Sequence, residues 1–423
     1  MRLCVSPSSS LLDEPVQIVV IGARPGGRVR ITASTTDQTG ILWRSEGLYD
    51  ANIQGTVDTA RCASVGGTYD GVDANGLLWS MVPELSGDPL QAPSFPVPSP
   101  GGVHRIDFVA DASGVPAERL SIERSWSGAG VTRCDVNEGG LRGIYYQPTA
   151  ETMRTTGVLV ITGSDGGASE HLASLIASRG YPTLALAYFA YADLPRSLAN
   201  IPLEYFDKGA SWLRSRVDKL GVIAISRGTE AAALCAVHFR GFADGLALYV
   251  PGHIVEAGQD PSRTECTAAW TLNGAAVPFA PDTEEMSELR ASHLENGTLH
   301  ITPAFLNKWL APGVEEHYGI PVERITVPIL LLSGANDAIW PSWIAASRIE
   351  SRIKASKPHF RVDHLCFQGA GHMIARPGAV TSRASFMYHP HSKVHIALGG
   401  IPRVNAAAAL TAFSRTLSFL ATL

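Results

Sequence analysis

The sequence predicts an all-β domain followed by an α/β domain with a mostly parallel sheet, and two observations support this. Short alternating apolar runs at 16–21, 28–33 and 104–109 are separated by turn clusters rich in Gly, Pro, Asp and Asn. No long helical pattern lies between them, which is typical of a β-sandwich. From about residue 155, apolar runs of strand length alternate with helical patterns, which favours βαβ units.

The elements of the α/β domain follow one another in a regular order. We predict strands at 157–162, 182–187, 221–225, 327–333 and 361–367. We predict helices at 170–179, 203–217, 228–240 and 342–351.

These patterns divide the chain into three segments. We assign an N-terminal tail to 1–13, the β-sandwich to 14–145 and the α/β domain to 146–423. The Pro-rich segment 91–102 has no periodicity, and strand patterns resume after it, so we interpret it as a long connection inside the sandwich. Residues 251–325 fit the alternation poorly and are expected to form a cap or insertion.

Composition excludes several classes of protein. The 423 residues include 34 Lys and Arg against 39 Asp and Glu, a net charge of −5, which disfavours nucleic-acid binding. The six cysteines show neither the C-x-x-C spacing of a metal or redox site nor a disulfide framework. No apolar stretch approaches the ~18 residues of a membrane-spanning helix, and no signal peptide is evident. We expect a cytoplasmic protein with reduced thiols and no metal.

The segment 221–228 (GVIAISRG) carries the strongest chemical signal. A predicted strand runs directly into Ser226, and an Ala-rich helix begins just after it. This is the strand–turn–helix context of a nucleophile elbow, in which a sharp turn exposes the Ser hydroxyl above the sheet. Gly228 supplies the second small residue of G-x-S-x-G, whereas Ala224 replaces the first glycine.

An acid and a base follow Ser226 in the chain order of α/β-hydrolases. Asp337 comes after the strand predicted at 327–333, and His372 comes after the strand predicted at 361–367. The carboxyl ends of parallel strands meet at one edge of an open sheet, where such folds place their sites. His372 would take the proton of Ser226, and Asp337 would hold the His tautomer and stabilise the imidazolium.

Two backbone N–H groups are predicted to stabilise the oxyanion. One belongs to Arg227, directly after the nucleophile. The other is expected in the turn 163–167 (GSDGG), at Ser164 or Asp165. This turn lacks the G-K-[ST] ending of a phosphate-binding P-loop.

Each catalytic candidate has a structural alternative. Ser226 could serve as a helix N-cap, and Asp337 could cap a helix starting near residue 341, with Asn336 beside it as a substitute polar group. His372 could be an ordinary loop histidine.

The aromatic residues Trp270, Phe279 and Trp309 could line a hydrophobic pocket or belong to the core.

Several further motifs resemble the acyl-CoA thioesterase/bile acid-CoA:amino acid N-acyltransferase family. They occur from about residue 14 to 420 and are found at 13–16 (DEPV), 66–69 (GGTY), 76–80 (GLLWS), 185–195 (ALAYFAYADLP), 203–206 (LEYF), 320–324 (IPVER) and 399–402 (GGIP). The resemblance implies an immunoglobulin-like β-sandwich followed by an α/β-hydrolase domain. It also implies an acyl thioester substrate, usually of coenzyme A, and it aligns Ser226, Asp337 and His372 with the family's nucleophile, acid and base.

The sequence departs from the family pattern at three positions. The usual S-K-G or C-K-G elbow is S-R-G here, and Ala224 and Asn336 replace a glycine and a common second acid. The resemblance further implies that amino-acid-conjugating members carry Cys at the nucleophile, whereas the hydrolases carry Ser. An acyl-cysteine remains a thioester that reacts with amines, whereas an acyl-serine is an oxygen ester that water cleaves.

The sequence therefore predicts an acyl thioesterase that acts through an acyl-Ser226 intermediate. Coenzyme A would be part of the substrate or product, no cofactor would be needed, and an acyl carrier protein is the alternative donor. The alternative function is an acyltransferase or offloading enzyme that passes the acyl group to an amine or hydroxyl. A plain carboxylesterase and a non-catalytic binder of the same fold are the remaining alternatives.

Overall fold

The chain divides into two units in a computed structural model, which describes residues 1–85, 95, 102–260, 262, 266–286, 288, 298–389 and 394–423. The first unit contains residues 1–128, 376–385 and 401–410, and the second contains 129–375, 386–400 and 411–423. The connection predicted at 91–102 lies outside the described residues, except for positions 95 and 102.

The first unit is a β-sandwich, as the sequence predicts. Its sheets have the orders β1-β3-β6 and β2-β9-β8-β4-β5-β7. Both sheets contribute to one apolar core, with Ile18 and Val20 from one sheet and Ile31, Trp43 and Phe108 from the other. The elements are β1 (Arg2–Ser6), β2 (Ser9–Leu11), β3 (Gln17–Ile21), β4 (Arg28–Thr36), β5 (Leu42–Asp50), β6 (Val57–Asp58), α1 (Gly76–Trp79), β7 (Val82–Pro83), β8 (Val103–Ala112) and β9 (Val115–Ser125).

The structure differs from the predicted boundaries at both ends of the sandwich. Residues 1–13 contain β1 and β2 instead of a tail, because β1 pairs with β3 and buries Leu3 and Val5. Residues 129–145, assigned to the sandwich, belong to the second unit. They contain β10, which pairs with β11, and β11 pairs with β13. A short alternating strand has the same pattern in whichever sheet it joins, so the pattern alone could not assign these residues.

The second unit is built on an eight-stranded sheet of order β10-β11-β13-β12-β15-β16-β20-β21. The pairings from β13 to β21 are all parallel, and those of β10 and β11 are antiparallel. The described strands of this unit include those of the eight-stranded sheet and those of two smaller sheets, β14-β17-β18 and β19-β23-β22. They are β10 (Thr132–Val136), β11 (Arg142–Gln147), β12 (Thr156–Ile161), β13 (Thr183–Ala187), β14 (Ile201–Pro202), β15 (Lys219–Ile225), β16 (Gly245–Tyr249), β17 (Trp270–Leu272), β18 (Ala275–Ala276), β19 (Thr298–Leu299), β20 (Ile329–Gly334), β21 (Val362–Phe367), β22 (Phe386–His389) and β23 (Val394–Ala397).

Helices follow the strands, as expected for an α/β-hydrolase. The strands β13, β16 and β20 are buried along their whole length, which explains their continuous apolar runs. The helices are α2 (Glu170–Ala177), α3 (Leu203–Arg214), α4 (Arg227–His238), α5 (Thr302–Leu310), α6 (Val314–Tyr318), α7 (Ser342–Ser356) and α8 (Pro402–Leu420). The mostly parallel sheet predicted from the sequence is confirmed. None of the described helices is long and apolar enough to cross a membrane.

The segment predicted as a cap, 251–325, departs from strand–helix alternation where it is described. It contains β17, β18, β19, α5, α6 and a short 3-10 helix, Val322–Arg324. Trp270 and Trp309 are buried in it, while Phe279 is half-buried and packs against the core. The two tryptophans are therefore core residues.

Candidate active site

Ser226 occupies a sharp turn between β15 and α4. Its φ of 52° and ψ of −124° are a rare conformation for a residue with a side chain, and this conformation costs about 1–3 kcal/mol. The small neighbour Gly228 allows the turn, since a Cβ atom there would lie 2.2 Å from the carbonyl oxygen of Thr162. Ala224 is fully buried in β15, so alanine is accommodated where G-x-S-x-G has glycine.

The structure brings Ser226, His372 and Asp337 together. The Nε2 atom of His372 lies 3.0 Å from Oγ of Ser226, and its Nδ1 lies 2.8 Å from Oδ2 of Asp337. The three residues, in the order Ser226, His372 and Asp337, are 7%, 9% and 2% exposed. In this arrangement Nδ1 donates to the carboxylate, which leaves Nε2 to accept the hydroxyl proton.

The contacts also address the structural alternatives. Ser226 precedes the first residue of α4, but its side chain makes no capping hydrogen bond. Asp337 does accept the backbone N–H of Ile339 at 3.0 Å through Oδ1, and this leaves Oδ2 for His372. Asn336 is exposed, so the buried carboxylate of Asp337 is the group that faces the histidine.

The turn after β12 lies against the nucleophile. A Cβ atom on Gly163 would be 3.0 Å from Cβ and 3.6 Å from Oγ of Ser226. Ser164 follows and is half-buried, whereas Asp165 is exposed and accepts the hydroxyl of Thr162 at 3.1 Å. On the other side, Arg227 begins α4, so its N–H has no acceptor within the helix.

Arg227 and Glu230 form a buried ion pair directly behind the nucleophile. Nε of Arg227 lies 2.8 Å from Oε1 of Glu230, and the residues are 5% and 0% exposed. The guanidinium also donates to the carbonyl oxygens of Ala257 at 2.9 Å and Glu256 at 3.0 Å. Burial raises the pKa of Glu230 to about 7. The start of α4 is thereby fixed to residues 256–257.

A second buried ion pair continues this network. Lys308 on α5 donates to the carboxylate of Glu256, which also accepts Nε1–H of Trp309 at 2.6 Å. The backbone N–H of Glu256 donates to Glu230 at 3.2 Å, and so does Nε1–H of Trp270 at 3.0 Å. A buried charge is stable only when it is paired and hydrogen-bonded, which these contacts achieve.

Sequence reasoning missed Glu230, Glu256 and Lys308. A charged residue three positions after Arg227, inside an Ala-rich apolar helix, is the signal that could have indicated Glu230. No local signal indicates the pairing of Glu256 with Lys308, because 52 residues separate them in the chain.

Two family models match this chain. Residues 13–138 match the model of the acyl-CoA thioester hydrolase/BAAT N-terminal region, and residues 201–422 match that of the BAAT/acyl-CoA thioester hydrolase C terminal. BAAT denotes bile acid-CoA:amino acid N-acyltransferase.

Three relatives align along most of their length. Acyl-coenzyme A thioesterase 1 of Rattus norvegicus is 29% identical, covering 97% of this chain and 93% of the relative. Acyl-coenzyme A thioesterase 5 of Mus musculus is 30% identical, covering 97% and 93%. Bile acid-CoA:amino acid N-acyltransferase of Mus musculus is 30% identical, covering 91% and 89%. The resemblance inferred from sequence motifs is confirmed, and the chain belongs to the acyl-CoA thioester hydrolase/BAAT family.

Proposed function

We propose that the protein is a serine-dependent thioesterase that hydrolyses an acyl-CoA, or an acyl thioester bound to a carrier protein. The observation that carries this proposal is the continuous contact from Ser226 through His372 to Asp337, at 3.0 and 2.8 Å. The similarity to acyl-CoA thioesterases supports the choice of substrate class.

The proposed reaction has two steps. In the first, His372 removes the hydroxyl proton while Ser226 Oγ attacks the thioester carbonyl, and the tetrahedral intermediate collapses as the C–S bond breaks. The proton passes from His372 to the leaving thiolate, which departs as free thiol. In the second step, His372 takes a proton from a water molecule while the water oxygen attacks the carbonyl carbon of the acyl-serine. His372 then protonates Oγ, which releases the carboxylic acid and restores Ser226.

Asp337 and the backbone donors complete this scheme. The carboxylate stabilises the imidazolium that forms in both steps, and its burial strengthens that interaction. The N–H groups of Arg227 and of the 163–165 turn would stabilise the oxyanion of each tetrahedral intermediate. Losing one such donor typically costs about 10²–10³ in rate.

Aminolysis is the second candidate, favoured by the similarity to an N-acyltransferase. An acyl-serine is an oxygen ester and is less reactive towards an amine than an acyl-cysteine thioester would be. The serine at position 226 therefore favours water as acceptor, and hydrolysis is the primary proposal.

The test is a product analysis with purified protein. The protein is incubated with a panel of acyl-CoAs, with and without glycine, taurine and simple alcohols, and products are identified by mass spectrometry. Free acid and free coenzyme A, formed at the same rate with each acceptor and lost in Ser226→Ala, are expected. Conjugates formed in preference to acid would overturn the assignment of water as acceptor, and full activity of Ser226→Ala would overturn the mechanism.

A further inference from the structure

A buried tyrosine hydroxyl lies at the turn that faces the nucleophile. Tyr188 comes directly after β13 and is 1% exposed. Its hydroxyl lies 3.0 Å from the carbonyl oxygen of Thr162 and 3.0 Å from that of Gly163. Both oxygens can only accept, so the hydroxyl donates its proton to this pair.

The direction of one carbonyl fixes the direction of the next N–H. The peptide bond between Gly163 and Ser164 is planar, and in its trans form the C=O and N–H point to opposite sides. Because the Gly163 carbonyl is directed towards Tyr188, the N–H of Ser164 is directed away from it. The Cα atom of Gly163 borders Ser226, since a Cβ atom there would be 3.6 Å from Oγ.

We propose that Tyr188 is a positioning residue that directs the N–H of Ser164 towards the oxyanion formed on the acyl group. This inference rests on the proposed acyl-Ser226 mechanism and selects Ser164 over Asp165 as the second donor. Tyr188 itself does not touch the reacting atoms and acts through the orientation of one peptide group.

The surroundings of Tyr188 hold its ring in place. The ring packs at tilted angles against Phe189, Phe206 and Trp270, with centroids 5.1, 5.0 and 5.9 Å apart. Burial raises the pKa of Tyr188 well above its usual value, so the hydroxyl keeps its proton and remains a donor. A preorganised donor of this kind requires no reorientation when the oxyanion forms.

The test compares Tyr188→Phe with Tyr205→Phe. Phenylalanine retains the ring of Tyr188 and removes only the hydroxyl. Tyr205 is a matched control because its hydroxyl also donates to a backbone carbonyl, that of Ala187, at 2.7 Å. Among the described residues, its hydrogen-bond partners are Ala187 and Arg142, which lie outside the 162–163 turn. Turnover of p-nitrophenyl butyrate, a chromogenic ester, is measured together with the affinity for 1,1,1-trifluorodecan-2-one, a ketone that forms a tetrahedral adduct with serine.

For Tyr188→Phe we expect kcat to fall about 10- to 100-fold, with KM changed by less than about twofold. The affinity for the trifluoromethyl ketone should fall by a similar factor, because this adduct carries the oxyanion. The pH dependence of kcat should not change. Tyr205→Phe should retain kcat and the ketone affinity.

Unchanged kcat and ketone affinity in Tyr188→Phe would overturn the inference, as would equal losses in Tyr205→Phe. Failure of the underlying mechanism is recognised separately. If Ser226→Ala turns over the ester and binds the ketone like the wild type, the acyl-serine proposal fails. If Ser226→Ala is inactive and Tyr188→Phe is fully active, only the proposed role of Tyr188 fails.

Discussion

The backbone of Gly399 lies so close to that of Asn336 that a Cβ atom on the glycine would be 2.0 Å from the Asn336 carbonyl oxygen. Gly399 forms an antiparallel bridge with Asp337, and the preceding Leu398 accepts the N–H of His372 at 2.8 Å. One short segment therefore contacts both the acid and the base. The GGIP motif at 399–402 begins with this glycine. The close contact with Asn336 leaves no space for a side chain at the first position of the motif.

Gly399→Ala should disturb the pairing of Asp337 with His372. Alanine at 399 would meet the Asn336 carbonyl and would have to adopt a φ of 76°, so the segment must shift. We expect kcat to fall by at least about tenfold and the free energy of unfolding to fall by about 1–3 kcal/mol. Ester turnover and urea unfolding measure the two effects.

Gly274→Ala is the matched control. Gly274 has a φ of 77°, but a Cβ atom there would meet no atom within 4 Å. This variant should cost about 1 kcal/mol of stability from the backbone conformation alone and should retain kcat. Equal loss of kcat in both variants would show that the close contact of Gly399 with Asn336 is not the cause of the loss.

A second serine–histidine–acid arrangement exists and provides a negative control. The hydroxyl of Ser333 lies 2.8 Å from Nε2 of His364, whose Nδ1 is 3.7 Å from Glu350. Ser333 is fully buried within β20, where its backbone is ordinary strand, so it lacks the exposed turn of a nucleophile elbow.

Ser333→Ala should therefore retain turnover and covalent labelling by a fluorophosphonate. Ser226→Ala should lose both, with turnover reduced by about 10⁴-fold or more. Mass spectrometry of the labelled protein locates the modified residue. Label on Ser333 in the wild-type protein would contradict the assignment of the nucleophile.

The sequence was sufficient to predict how Ser226, Asp337 and His372 are brought together, because each follows an apolar strand of one parallel sheet. The carboxyl ends of these parallel strands lie at one edge of the sheet, where β16 alone separates β15 from the adjacent strands β20 and β21. Pairing across the cap could not be predicted, since the contact of Glu256 with Lys308 depends on loops without periodicity. The role proposed for Tyr188 could not be predicted either, because a hydroxyl that donates to backbone carbonyls has no sequence pattern of its own.

Arg227→Lys introduces the residue that the family resemblance implies at this position of the elbow, yet we expect it to destabilise this protein. The guanidinium donates to Ala257 and Glu256 from two different nitrogens, and a lysine amine cannot reproduce this fork. Leaving a buried carbonyl without its donor costs about 1–3 kcal/mol, which urea unfolding would detect.

Arg348→Lys is the control for the change of arginine to lysine. Its side chain is 50% exposed and pairs with Glu315 at 3.6 Å, and a surface pair of this kind contributes about 0–1 kcal/mol. If Arg227→Lys is as stable as Arg348→Lys, the hydrogen bonds of the guanidinium to residues 256–257 contribute little.

The raised pKa of Glu230 predicts a stability that declines as pH rises. The carboxyl has a pKa of about 7 in the folded protein and 4.5 as its ordinary value, because burial disfavours the charged form. Below 4.5 both states hold the proton. Between 4.5 and about 7 the unfolded chain loses it first, so the folded protein binds more protons and its stability falls until both states are ionised.

Glu230→Gln removes this titration while keeping an oxygen that can accept from Trp270 and from the backbone N–H of Glu256. The free energy of unfolding of the wild type minus that of the variant should therefore decrease between about pH 5 and about pH 8, as followed by urea unfolding at each pH. A difference that increases over this range would mean that the ion pair with Arg227 outweighs the desolvation of the carboxylate and lowers its pKa. The same comparison, with and without Glu230→Gln, made in a Ser226→Ala background should give the same decrease. The reason is that burial raises the pKa of Glu230, and this effect does not depend on the Ser226 hydroxyl.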